Sequence, residues 1–224
     1  MTLPLPFVLA THNADKAREI VEIFVAQSNE PLIAYSIDGV AFLVDGPDRI
    51  ATSVAALPVL AEPPDVEETG ATLEENARIK AVALADAIGL PAVADDTGLE
   101  VDALGGAPGV YSARYAGEDA SYADNVAKLL RELDGVAAER RTARFATVAI
   151  ARTPDGEELV TRGEVDGVIA LSARGTGGFG YDPVFVPVEG DGRSFAEMAA
   201  EEKHAVSHRG RAFRSLARAL TEKG

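Results

Sequence analysis

The sequence predicts an α/β protein, and three observations carry that reading. A short apolar run, Phe7 to Ala10, leads through the polar loop 11–16 into apolar positions at Ala17, Ile20, Val21, Phe24 and Val25, the repeat of a helix. A second helical repeat, from Thr72 to about Ile88, is followed by the apolar run Pro91 to Ala94, which reads as a buried strand ending at Asp95 and Asp96. Two alternating runs, Arg144 to Ala151 and Glu158 to Val165, flank Thr153-Pro154-Asp155-Gly156 and predict a hairpin.

The remaining elements follow in order. Leu32 to Ile37 predicts a second strand. The stretch from Asp38 to Pro64 is rich in Gly and Pro; it reads as a surface excursion with a short helix from Asp48 to Leu57. Thr72-Leu73-Glu74-Glu75 has the form of a capping box, and Gly89 closes the helix it opens. Asp95-Asp96-Thr97-Gly98 has turn chemistry, an Asx-turn or a helix cap, as its plainer reading, and a second alternating run follows, Leu99, Val101 and Ala103. Ser121 to Leu133 predicts a helix with Val126, Leu129, Leu130 and Leu133 inward. Gly175 to Gly180, four glycines with Phe179, predicts a loop whose backbone closely approaches a flat ligand, before a strand from Val184 to Val186. The segment from Phe195 to Leu220 is helical with a break near Ser207.

Composition sets the outer limits. The 224 residues suffice for one large domain or two small lobes, and 47% hydrophobic content supports a packed core. The absence of cysteine excludes disulfides, thiolate zinc sites and a cysteine nucleophile. A net charge of -15 argues against a protein that coats nucleic acid with a basic face. No apolar run approaches the length of a membrane span, and no basic segment precedes an apolar stretch at the N-terminus. A cytoplasmic location is expected on these grounds.

The chemistry-bearing residues fall into complementary sets. Glu67, Glu68, Asp95 and Asp96 are oxygen donors suited to a hard cation such as Mg²⁺. Lys16, at the start of a helix that offers free backbone N–H groups, joins Lys80, Lys203 and Arg209 as cations suited to phosphates. Phe179 and Tyr181 are aromatics suited to stacking on a base. Each signal alone has a plainer reading: an Asn13 or Asp15 helix cap, an Asx-turn, a solvated C-terminal helix face. A nucleotide with a polyphosphate tail uses all three sets at once.

The motifs ATHNADK (10–16), ETGATLEENARIKA (68–81), ADDTGLEVDALGGAPGVYSARYAG (94–117), GTGGFGYDPVF (175–185) and EEKHAVSHRGRA (201–212) together resemble the non-canonical purine nucleoside triphosphate pyrophosphatases. That family is also called inosine/xanthosine triphosphate or dITP/XTP pyrophosphatases. The resemblance spans nearly the whole chain. It implies a two-lobed α/β fold over residues 1–224, with a long mixed sheet flanked by helices, an active-site cleft between the lobes, and a homodimer. It implies Mg²⁺-dependent hydrolysis of ITP, dITP and XTP to the monophosphate and pyrophosphate; from charge and hydropathy, no nucleic-acid or membrane partner is expected.

Residue by residue, the resemblance assigns Thr11, His12, Asn13, Ala14, Asp15 and Lys16 to a phosphate-binding loop. Glu68 matches a metal-binding glutamate, with Glu67 its alternative. Asp96 matches a metal-linked base, Asp95 its support, and Thr97 a neighbour of the substrate. Lys80 matches a further phosphate contact. Phe179, Gly180, Tyr181 and Asp182 match a base-binding loop; Lys203, His208 and Arg209 match residues that close over base and phosphate. The chain departs from the family pattern in four places: Asp15 stands where Gly is common, Leu73 where Phe is, Thr97 where Ser is, and Val40 to Pro63 is longer than usual.

Overall fold

A computed structural model describes residues 7–27, 32–37, 40–45, 50–51 and 64–222. Among them are nine strands: β1 (Phe7–Leu9), β2 (Leu32–Ile37), β3 (Val40–Asp45), β4 (Ile50–Ala51), β5 (Ala92–Val101), β6 (Pro108–Gly109), β7 (Thr142–Arg152), β8 (Glu158–Ile169) and β9 (Phe185–Pro187). Five α-helices accompany them: α1 (Ala14–Gln27), α2 (Leu73–Ile88), α3 (Tyr122–Glu132), α4 (Ala200–Val206) and α5 (His208–Glu222). The strand order is β4-β3-β2-β1-β5-β7-β8-β9, with β6 paired to β5. The sheet is mixed: β1 is parallel to β2 and β5, whereas β2–β3, β3–β4, β5–β6 and β8–β9 are antiparallel.

The chain divides into two compact units. The first comprises Met1–Asp96, Val148–Arg162 and Ala212–Gly224. Its core joins Phe7 and Leu9 of β1, Ile20 and Phe24 of α1, and Phe213 and Leu216 of α5. The Phe24 and Phe213 rings meet edge to face, centroids 5.6 Å apart, a favoured aromatic geometry. The second unit comprises Thr97–Thr147 and Gly163–Arg211. There Leu99 and Val101 pack with Val126, Leu129 and Leu133 of the α3 region and with Phe145, Phe185 and Phe195. Arg141 is buried and donates to the carbonyls of Leu133, Val136 and Ala170, tying the stretch after α3 to the end of β8 with one side chain.

Local sequence signals account for most boundaries. Thr72 and Glu75 form the expected capping box on α2, and Gly89 ends it in the left-handed region at φ 65°. Ser121 and Asp124 do the same for α3. The hairpin joins β7 and β8, with Thr153 N–H donating to the Glu157 carbonyl across the turn.

Two expectations are corrected. The excursion after residue 38 contributes strands where no regular structure or a helix was expected: β3 pairs with β2 along its whole length, and Ile50–Ala51 pairs with β3. The physical signal was the β-branched and aromatic run Val40-Ala41-Phe42-Leu43-Val44, which suits a pleated strand. The rest of the expected helix at 48–57 lies outside the described residues. Second, Thr97-Gly98 is no turn. One ten-residue strand runs through Asp95, Asp96, Thr97 and Gly98 without a break.

Phe213→Ala should lose about 3–5 kcal/mol of stability, the range for deleting a buried aromatic ring. Urea unfolding of the variant against wild type measures it. A change below about 1 kcal/mol would show that α5 contributes little to the core of the first unit.

Candidate active site

β5 carries the carboxylate pair on consecutive residues, so their side chains leave opposite faces of the strand. Both are buried, Asp95 to 1% exposure and Asp96 to 5%. A buried carboxylate is tolerated only with compensating partners. In the first unit, Asp96 has two: Lys80 Nζ donates to Oδ1 at 3.2 Å, and the Asn76 amide lies 3.3 Å from Oδ2. The same Lys80 ammonium donates to Glu68 Oε1 at 2.8 Å. Asp95 faces Lys16, whose Nζ lies 3.4 Å from its Oδ2.

Helix α2 makes this possible. Asn76 and Lys80 are one turn apart and share a face. Asn76, fully buried, also accepts from Gly70 N–H at 2.8 Å, which ties the Glu68 loop to the helix start. A side chain at position 70 would lie 2.6 Å from Asn76 Oδ1 and from Glu75 Cβ, so only glycine permits this approach. Glu67 is exposed while Glu68 is half-buried and turned to Lys80, which favours Glu68 of the two alternatives.

The electrostatics follow from burial. Desolvation is the largest influence on Asp96 and raises its pKa; Lys80 and Lys16 pull it down, and Glu68 and Asp95 push it up. Desolvation also works against the Lys80 ammonium, but Asp96, Asp95 and Glu68 together outweigh it and hold its pKa above the ordinary value.

The loop at 11–16 forms a helix start. Asn13 Oδ1 accepts from Lys16 N–H at 3.0 Å and caps α1, and Thr11 Oγ1 accepts from Asn13 N–H. Asp15 pairs with Arg18 at 3.7 Å, so its carboxylate has a cation of its own beside Lys16.

The second unit holds the other set. Thr97 is half-buried, and its hydroxyl accepts from Arg209 Nη2 at 3.2 Å. Arg209 Cζ sits 5.3 Å from the Phe179 ring centroid, and Lys203 Nζ 5.0 Å from it. Lys203 Nζ is 2.5 Å from Asp182 Oδ2, which also accepts from Phe179 N–H. The His208 ring stacks on Phe145, with centroids 4.4 Å apart and planes 12° from parallel.

The glycines of the 175–180 loop serve the protein's own packing. An added Cβ would lie 2.4 Å from the Ala196 backbone at Gly175 and 2.0 Å from Asp182 Oδ2 at Gly178, both at positive φ. The close approach expected toward a flat ligand is therefore made, at these two positions, to Ala196 and Asp182. Tyr181 is buried and gives its hydroxyl proton to the Ser112 carbonyl at 2.9 Å, so its ring belongs to the core. Phe179 is half-buried and remains the aromatic suited to stacking.

The donor set fits a hard divalent cation. Glu68 and Asp96 present carboxylate oxygens that already converge on one ammonium. Among the described residues no group of three metal-binding side chains is assembled. Mg²⁺ typically takes one or two carboxylates and completes its shell with water and substrate phosphate oxygens.

Comparison with known proteins identifies the fold and its lineage. The Ham1 family model matches residues 7–219. The chain belongs to the Ham1 family. A protein named dITP/XTP pyrophosphatase from Geobacillus kaustophilus is 47% identical over 93% of this chain and 91% of its own length. One of the same name from Streptomyces coelicolor is 53% identical over 71% of this chain and 79% of its own. A solved HAM1 protein from Coxiella burnetii superposes with a TM-score of 0.76 at 38% identity, covering 98% of this chain and 100% of that one.

Sequence reasoning gave Lys80 a phosphate contact and Lys203 a place closing over base and phosphate, with no protein partner for either. Lys80 bridges two carboxylates, and Lys203 is 4% exposed against Asp182. The bond from Asn76 to Asp96 spans 20 residues, so no local signal marks it. Lys203→Met should therefore strand a buried carboxylate and lose about 3–5 kcal/mol, measured by denaturant unfolding without nucleotide. Wild-type stability would mean that Lys203 serves only the ligand.

Proposed function

We propose that this chain hydrolyses non-canonical purine nucleoside triphosphates, ITP, dITP and XTP, at the α–β phosphoanhydride bond, releasing the monophosphate and pyrophosphate. The observation that carries the reading is the convergence of Glu68 and Asp96 on a single cationic position beside Lys16 and Asp95. The names of the Geobacillus and Streptomyces relatives support the same chemistry.

Glu68 and Asp96 would hold Mg²⁺, which supplies Lewis-acid stabilisation of charge on the phosphates and on the leaving pyrophosphate. Asp96 accepts a proton from the attacking water. Burial holds its pKa above the ordinary carboxylate value. Lys16 and Lys80 hold the anionic tail in line for displacement, the main source of rate in phosphoryl transfer. The capped start of α1 adds backbone N–H groups to that grip.

In the second unit, Phe179 stacks on the base and Arg209 reads it. A guanidinium has only donors. It pairs with the 6-keto oxygen of hypoxanthine or xanthine and opposes the 6-amino group of adenine. A homodimer and a cytoplasmic setting complete the proposal, carried by the family resemblance and by the sequence's composition.

Tests of catalysis and of selectivity bear on it. Pyrophosphate release from ITP should require Mg²⁺ and stop with EDTA. Asp96→Asn should then retain its fold and lower kcat by about 10²-fold or more, the scale of a general base. Near wild-type kcat would remove Asp96 from that role.

The second concerns selectivity. Arg209→Ala should cut kcat/KM for ITP far more than the trace rate on ATP. A site built on such a hydrogen bond can discriminate by roughly 10⁴-fold. An unchanged ITP-to-ATP ratio would mean that Arg209 does not read the base.

A further inference from the structure

Thr147 lies on β7 in the second unit and is fully buried. It is a hydroxyl in an otherwise apolar stretch, between Ala146 and Val148, both of them buried. A buried hydroxyl needs a partner, and among the described residues that partner is Thr97. The two Oγ1 atoms are 2.7 Å apart, a full-strength hydroxyl contact. Thr97 Oγ1 is also the atom that accepts from Arg209 Nη2 at 3.2 Å.

The proton count constrains the arrangement. A threonine hydroxyl has one proton and two acceptor sites. Arg209 takes one acceptor site of Thr97. Thr147 then either receives the Thr97 proton or donates into the second site. In both cases the Thr97 oxygen is anchored from behind by a rigid, buried group on a neighbouring strand. The guanidinium it receives is anchored in turn, 5.3 Å from the Phe179 ring. Arg209 is itself buried to 3% exposure, so a shift in its hydrogen-bond acceptor shifts its aim.

We propose that Thr147 is a positioning residue for base selection. Through Thr97 it fixes the direction in which Arg209 presents its donors, and so sharpens discrimination between 6-keto and 6-amino purines. This inference rests on the proposed reading of Arg209 as the base-reading residue. Thr147 touches neither the base nor the phosphates.

The test uses the full chain and compares kcat/KM for ITP and ATP in Thr147→Val, Thr147→Ser and Arg209→Ala. Valine keeps the shape of threonine and removes the hydroxyl; serine keeps the hydroxyl and removes a methyl group. The valine variant should lower kcat/KM for ITP about 5- to 10-fold, the worth of one hydrogen bond, and leave the ATP rate nearly unchanged. The serine variant should keep the wild-type ratio to within about twofold, whatever stability it loses, since the interaction assigned to the hydroxyl survives.

A purely structural role would lower the melting temperature and both rates together, with the ratio unmoved. That result in Thr147→Val overturns the proposal while the ratio still narrows in Arg209→Ala. An unmoved ratio in Arg209→Ala instead overturns the reading of Arg209 itself. Where the valine variant fails to fold, Thr147→Ala, which also removes the hydroxyl, takes its place: a narrowed ITP-to-ATP ratio upholds the proposal and an unmoved ratio overturns it.

Discussion

The need to compensate one buried carboxylate organises the first unit. Asp96 sits inside the protein at the point where β5 leaves the first unit's core, and burial favours its neutral form. The surroundings answer with an ammonium from Lys80 and an amide from Asn76. Those two side chains reach the same carboxylate because they are spaced by one turn of α2. The turn is fixed by the Thr72–Glu75 capping box, and the glycine at 70 lets the Glu68 loop close against it. The same ammonium brings Glu68 and Asp96 to a common cationic position.

The second unit repeats the principle with different parts. The Asp182 carboxylate and Lys203 ammonium are almost completely buried together. Pairs of this kind seldom add net stability over apolar packing, but breaking one is costly. Here the pair fixes Phe179, since Asp182 also accepts the Phe179 N–H. The ring is thereby held where Lys203 and Arg209 flank it. Residues that looked like ligand contacts are first of all supports for one another. That explains why glycines crowd this loop: Gly175 and Gly178 leave no room for a side chain beside Ala196 and Asp182.

Three features show how far local reading reaches. Asn13 was open to two readings, a cap or a phosphate contact, and the structure gives it the cap of α1; the two are compatible, because a capped helix start still presents N–H groups. Asp15, unexpected beside a triphosphate, pairs with Arg18 three residues on, a partner within the same helix face. Thr97 and Gly98 have turn-forming composition yet lie inside β5, since pairing with β6 and packing of Leu99 and Val101 outweigh a weak local preference.

By itself, the sequence determined the local elements and the motif inventory. Helical and alternating repeats, caps at Thr72 and Gly89, and the turn at 153–156 act within a few residues, so they are legible along the chain. The motifs likewise named Glu68, Asp96, Lys80, Phe179 and Arg209 as residues to watch. Only the tertiary structure decided which of them meet. Lys80 joins Glu68 and Asp96, Lys203 joins Asp182 rather than standing open to solvent, and Thr147 backs Thr97 across 50 residues of sequence. The reason is physical. A charge or hydroxyl takes its role from the partners that burial forces on it, and sheet pairing and core packing choose those partners from distant parts of the chain.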